Sequence, residues 1–135
     1  MNGVVIVLIF FLVTLVLAGV VAVKLRWRKK MGSKELQYIR SYWIRIIDSF
    51  NGFPSQAVID ADKLLDYALG KHGFEGSLGE KLKKAGPRFS DLDSVWRAHK
   101  LRNKFAHELS NIDKGAAKAA LQNFKKALND LGAKL

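Results

Sequence analysis

The chain has 135 residues, and its first 23 contain no Asp, Glu, Lys, Arg or His, so all 23 basic and 12 acidic side chains, a formal net charge of +11, follow Val23. No Cys, two Pro and eleven Gly exclude a disulfide scaffold, a CxxC redox site, a cysteine zinc cluster, a collagen-like chain and a Pro-rich linker. The charged part is long enough for one small domain with a real core and too short for two.

Residues 3–23, GVVIVLIFFLVTLVLAGVVAV, make roughly 31 Å of helix at about 1.5 Å per residue, the thickness of a bilayer's hydrocarbon core. A secretory signal carries a basic region before a shorter apolar stretch. Here only Asn2 precedes the stretch, and the positive charge follows it in KLRWRKK. That asymmetry predicts a single uncleaved anchor with the N-terminus outside and the domain in the cytoplasm. Trp27 is placed at headgroup depth. Residues 1–23 thus read as the anchor, 24–34 as a basic juxtamembrane segment and 35–135 as the domain. Six basic residues, Lys24, Arg26, Arg28, Lys29, Lys30 and Lys34, belong to the juxtamembrane segment, where topology and anionic lipid account for them. The remaining +5 is compatible with a phosphate-bearing partner without requiring one.

Beyond Lys34 the apolar spacing is helical throughout, with no alternating run that reads as a strand. The fold class is all-α: one transmembrane helix, then a four- to five-helix bundle, up-and-down because the connections are short. The first soluble helix covers about Ser33 to Phe50, with an apolar stripe of Leu36, Ile39, Trp43, Ile46, Ile47 and Phe50, and ends at Asn51-Gly52. Pro54 suits the start of the second, about Ser55 to Leu69, which buries Val58, Ala61, Leu65 and Ala68. A loop over 70–76 leads to Ser77 and Glu80, which stand at capping-box spacing for a short third helix ending at Gly86-Pro87. Ser90 and Asp93 suggest another cap, opening a fourth helix to about Glu108. Asp113 caps a fifth that carries Ala117, Ala120, Leu121, Phe124, Leu128 and Leu131 and closes at Gly132.

The fourth soluble helix is where chemistry could reside. At about 100° per residue counted from Val95, Ala98, Leu101, Phe105 and Leu109 cluster near 240° to 320°, and Arg102 falls near 340°, at the rim of the core face. An unpaired guanidinium there is costly, and Asp62 and Asp66 on the second helix are its candidate partners. His99, Asn103 and His107 form a polar stripe at about 40°, 80° and 120° beside Arg102, joined by Trp96. His72 reads as an ordinary satisfied or solvent-facing imidazole. Two histidines eight apart with no completing carboxylate do not make a zinc site. No phosphate-loop, nucleophile-elbow, dinucleotide or HExxH motif occurs, so no cofactor is indicated.

The string Arg102-Asn103-Lys104-Phe105-Ala106-His107, flanked by Leu101 and Glu108, resembles the R-x4-6-H signature of HEPN (higher eukaryotes and prokaryotes nucleotide-binding) domains in its LRNxxAHE form. The helix order is similar too, with the motif on the penultimate helix and an Ala-rich helix after it, and the resemblance covers about residues 35–132. An anchor ahead of such a domain also resembles small bacterial membrane proteins, although typical HEPN members are soluble. The resemblance implies metal-independent RNA cleavage by 2′-hydroxyl attack, or binding and scaffolding without catalysis. Carried over, His107 is the general base or acid and Arg102 the phosphate clamp, while Asn103 orients the imidazole or donates to a phosphate oxygen. One imidazole cannot be base and acid at once, so the resemblance implies a homodimer with two motifs facing one cleft. A shared membrane favours such pairing. His99 is the intrachain candidate for the second role. Arg97, Lys100 and Lys104 are the expected contacts to the RNA backbone. The expected partners are therefore the lipid bilayer, RNA and a second copy, with a further protein partner left open.

Overall fold

The computed structural model describes residues 2–26, 30–107 and 113–135, without the side chains of 23–26. Trp27, Arg28 and Lys29 of the basic run, and Glu108 and Leu109 at the expected end of the motif helix, lie outside that set. The described residues form α1 (Gly3–Arg26), α2 (Ser33–Ser49), α3 (Pro54–Lys71), α4 (Leu78–Ala85), a 3-10 turn at Gly86–Arg88, α5 (Leu92–His107) and α6 (Lys114–Asp130). No strand occurs among them.

α1 is apolar on every face, and Gly3–Ala22 is long and apolar enough to cross a membrane. None of that span is buried against the rest of the protein, so a surrounding apolar phase is what would keep its Val, Leu, Ile and Phe side chains from water.

The bundle is built around α3. Its Ala57, Val58, Ala61, Leu65, Ala68 and Leu69 are fully buried, because α2, α5 and α6 all pack on it and α4 covers its C-terminal half. The expected stripe of Val58, Ala61, Leu65 and Ala68 is thus the centre of a wider face. Chain directions follow from the contacts at the helix ends. Arg40 Nε of α2 donates to the Ala133 carbonyl beyond α6, and Lys114 at the start of α6 donates to the Asn51 carbonyl after α2, so these helices are antiparallel. Asp62 meets His99, and His72 after α3 meets Arg88 before α5, so α3 and α5 are antiparallel as well. The four long helices therefore alternate in direction, as their connections require, and α4 is the short fifth.

Local chemistry fixes the ends. Pro54 occupies the first turn of α3, where a missing N–H costs nothing. Ser77 and Glu80 form the expected capping box on α4: Glu80 N donates to Ser77 Oγ, and Ser77 N donates to Glu80 Oε2 at 2.7 Å. Asp113 accepts from Gly115 N at the start of α6. The cap of α5 differs from the sequence expectation. Asp91, directly before Leu92, accepts from the N–H of Ser94, whereas Ser90 donates from both N and Oγ to Asp130 on α6. A side chain one residue before the helix reaches the third N–H of the first turn, and Asp93 is already inside that turn. Gly73 and Gly132, at φ of 87° and 98°, let α3 and α6 end in matching Schellman turns, with Phe74 N bonded to Leu69 O and Ala133 N to Leu128 O.

Candidate functional site

The face of α5 toward α3 carries the polar set. α5 buries Val95 and Ala98 and half-buries Leu101 and Phe105, which turns His99 and Arg102 toward Asp62. Asp62 is 4% exposed, so its charge is viable only if partnered. Its Oδ1 lies 2.7 Å from His99 Nδ1 and its Oδ2 3.3 Å from Arg102 Nε. The second approach has ion-pair distance without the alignment of a hydrogen bond. Arg102 Nη1 donates to Asn103 Oδ1 at 3.0 Å, leaving the rest of the fork uncommitted among the described residues. Trp96 packs edge-on to the His99 ring at 6.0 Å and lies against Gly79 of α4.

A cavity of about 280 Å³ opens beside this set, lined by His99, Arg102, Asp62, Asp66 and Ser77 among others. Its acidic residues are balanced. Asp62 faces Arg102, and Asp66 is 2.8 Å from Lys81 Nζ. Lys63 at the rim stands 3.9 Å from Asp60, and each carboxylate lining the cavity has a cation beside it.

Of the sequence-predicted residues, the structure gathers His99, Arg102, Asn103 and Asp62. Asp66, the other expected partner of Arg102, goes instead to Lys81 of α4, which also donates to the Asp66 carbonyl. His107 stands exposed on the last described turn of α5. Arg97, Lys100 and Lys104 are exposed along the outer face of the helix. Arg97 also donates to Ser94. His72 is a satisfied imidazole: Nε2 lies 3.0 Å from the Leu131 carbonyl and Nδ1 2.9 Å from Arg88 Nη1. A carbonyl can only accept and a guanidinium can only donate, so this geometry calls for the neutral ring protonated on Nε2.

The sequence reading missed two features. The Lys81–Asp66 pair depends on how the 72–77 loop turns α4 back over α3, and no local signal announces it. A groove of about 380 Å³ between α2 and α6 is lined by Trp43, Ile47, Phe50 and Leu121, with Lys118 and Lys125 at its edge. Ile47, expected in the core stripe, is 46% exposed beside it, and Ile44 is 60% exposed on the same flank of α2.

Among the described residues, two groups have lowered pKa values, both by capping. Donation from the Ser77 N–H, aided by the Ser77 side chain, holds Glu80 below the usual carboxylate range. The Ser94 side chain and N–H do the same for Asp91. Comparison with protein-family models, curated proteins and solved structures finds no match to this chain.

Proposed function

We propose that the chain is a membrane-anchored HEPN-like domain that binds single-stranded RNA along α5 and cleaves it without metal by 2′-hydroxyl attack. The supporting observation is the arrangement at the α3–α5 contact, where Arg102 keeps most of its guanidinium donors uncommitted at the wall of an open cavity, with Asn103 and an imidazole beside it. A guanidinium so placed can take two oxygens of a phosphodiester and the charge that grows on them. Arg97, Lys100 and Lys104 supply sequence-independent attraction to the backbone, and His107 supplies a proton-transfer group. In this reading α1 is a single-pass anchor with its N-terminus outside, the domain lies in the cytoplasm where RNA is found, and two copies pair in the membrane.

The test is binding of single-stranded RNA by the full chain in nanodiscs, measured across salt concentrations. Saturable binding whose logarithm falls linearly with log salt supports the proposal. Indifference to RNA at low salt refutes it.

A second reading, a non-catalytic interaction module, is favoured by the apolar α2–α6 groove and the exposed Ile44 and Ile47. There Asp62, His99 and Arg102 act only to hold α3 to α5. That module would bind a protein through Trp43 and Ile47, and Ile47→Glu would abolish the association while leaving any RNA affinity intact.

A further inference from the structure

We infer that His99, fixed by Asp62, is the general base that acts on the same phosphodiester as Arg102. The inference rests on the RNA-cleaving reading above and assigns the base within it.

Helix geometry separates the two histidines. His99 and Arg102 are three residues apart, about 4.5 Å along the axis and 60° around it, and share one side of α5. Arg102 and His107 are five apart, about 7.5 Å along and 140° around, and His99 and His107 are roughly 12 Å apart along the axis. One phosphodiester held by Arg102 within the cavity is therefore next to His99 and far from the His107 of the same chain.

The environment of His99 suits a base. Its Nδ1 is committed to the Asp62 carboxylate at 2.7 Å. A carboxylate accepts, so Nδ1 carries a proton, and the neutral form of the ring then presents its lone pair on Nε2. The ring lines the cavity together with Arg102, and Trp96 against one side limits its rotation. Asp62 acts through His99 and is a positioning residue: it fixes the tautomer and stabilises the imidazolium that forms, the role a buried carboxylate plays behind a catalytic histidine.

His99 Nε2 takes the proton of the ribose 2′-hydroxyl, and the 2′ oxygen forms a bond to phosphorus. The bond from phosphorus to the 5′ oxygen breaks, and Arg102 holds the charge on the non-bridging oxygens. The 5′ oxygen leaves with a proton from the imidazolium of His107 on a second copy of the chain. The products are a 2′,3′-cyclic phosphate and a 5′-hydroxyl. The exposed position of His107 at the far end of α5 suits it to serve a neighbouring cleft rather than its own.

The test uses the full chain in nanodiscs. Single-turnover cleavage of single-stranded RNA is expected to fall 10²- to 10⁴-fold in His99→Ala and His99→Gln. Asp62→Asn should fall by a similar factor, because an amide that donates to Nδ1 moves the ring proton to Nε2. Affinity for the same RNA carrying one 2′-deoxyribose at the cleavage position should change by less than about threefold, whereas a purely structural role would reduce binding and cleavage together. ¹⁵N spectra of the wild-type ring need no variant and should show protonation on Nδ1. The inference is overturned, with the RNA reading intact, if His99→Ala or His99→Gln cleaves at the wild-type rate while His107→Ala does not, or if His99 is protonated on Nε2. If the wild type neither binds nor cleaves RNA, both fail.

Discussion

The carboxylate of Asp62, buried on α3, lies 2.7 Å from Nδ1 of His99 on α5, and this contact joins the core of the bundle to its polar face. A buried aspartate must be partnered to stay ionised, so whatever faces it on α5 is held in place. The same contact therefore stabilises the fold and orients an imidazole.

Removing the carboxylate should cost more than removing the arginine. Asp62→Ala leaves Arg102 and His99 without their shared acceptor and is expected to destabilise the bundle by about 2–3 kcal/mol. In Arg102→Ala, Asp62 keeps His99, and the arginine side chain was already 28% exposed, so about 1–2 kcal/mol is expected. Urea unfolding of the full chain in micelles, followed by circular dichroism, checks the order. A larger loss for the arginine variant would mean that His99 does not hold the carboxylate.

The capping box gives a pH dependence of known sign. The Ser77 N–H holds Glu80 below its ordinary value in the folded chain, so its contribution is present above the unfolded carboxylate pKa and is lost as pH falls through the lower folded value. The stability difference between wild type and Glu80→Gln should accordingly be greatest near neutral pH and shrink through that acid window. A difference that persists unchanged to pH about 2, below both the ordinary and the lowered carboxylate values, would show that the charge of Glu80 is not what the cap uses.

The outer face of α5 should govern RNA affinity through salt. Each of Arg97→Ala, Lys100→Ala and Lys104→Ala is expected to weaken binding of all single-stranded sequences alike and to reduce the salt slope by about one unit. Fluorescence anisotropy at a series of salt concentrations measures this. An unchanged slope removes that side chain from the interface.

The proposed topology can be tested directly. In it the uncharged N-terminal stretch is outside, and the six basic residues of 24–34 would hold the bundle on the cytoplasmic side. A fluorescent reporter fused after Leu135 should light up in the cytoplasm, and an alkaline phosphatase fused there should be inactive. An active phosphatase would reverse the orientation.

How much of the fold is legible in the sequence tracks how local each feature is. The capping box at Ser77 and Glu80, the cap at Asp113 and the closure at Gly132 depend on residues a turn apart, and all occur as expected. The apolar stripes of α3 and α6 were legible because a 3.6-residue period shows which face is buried. That α3 is buried on a wider face than its stripe was not legible, since it depends on three helices converging on it. The link from Arg102 to α3 was foreseeable because a charge at the rim of a core needs a partner, but the choice of Asp62 over Asp66 was not. It is settled by Lys81, which the 72–77 loop brings to Asp66. His99 read as the intrachain candidate for the second proton-transfer role, and only packing shows that it is bonded to a buried carboxylate. Ile47, expected in the core stripe, stays exposed because α2 and α6 leave a groove beside it, which periodicity cannot register.

The most direct measurement is cleavage of single-stranded RNA by the full-length chain in nanodiscs with EDTA present, comparing wild type with His107→Ala. The account expects wild-type cleavage that leaves a 2′,3′-cyclic phosphate, reduced 10²- to 10⁴-fold in the variant with the fold intact, because a missing proton-transfer group slows the reaction without disturbing an exposed helix end. Wild-type protein that pairs in the membrane yet leaves RNA uncut, or a variant that cuts at the wild-type rate, would contradict it.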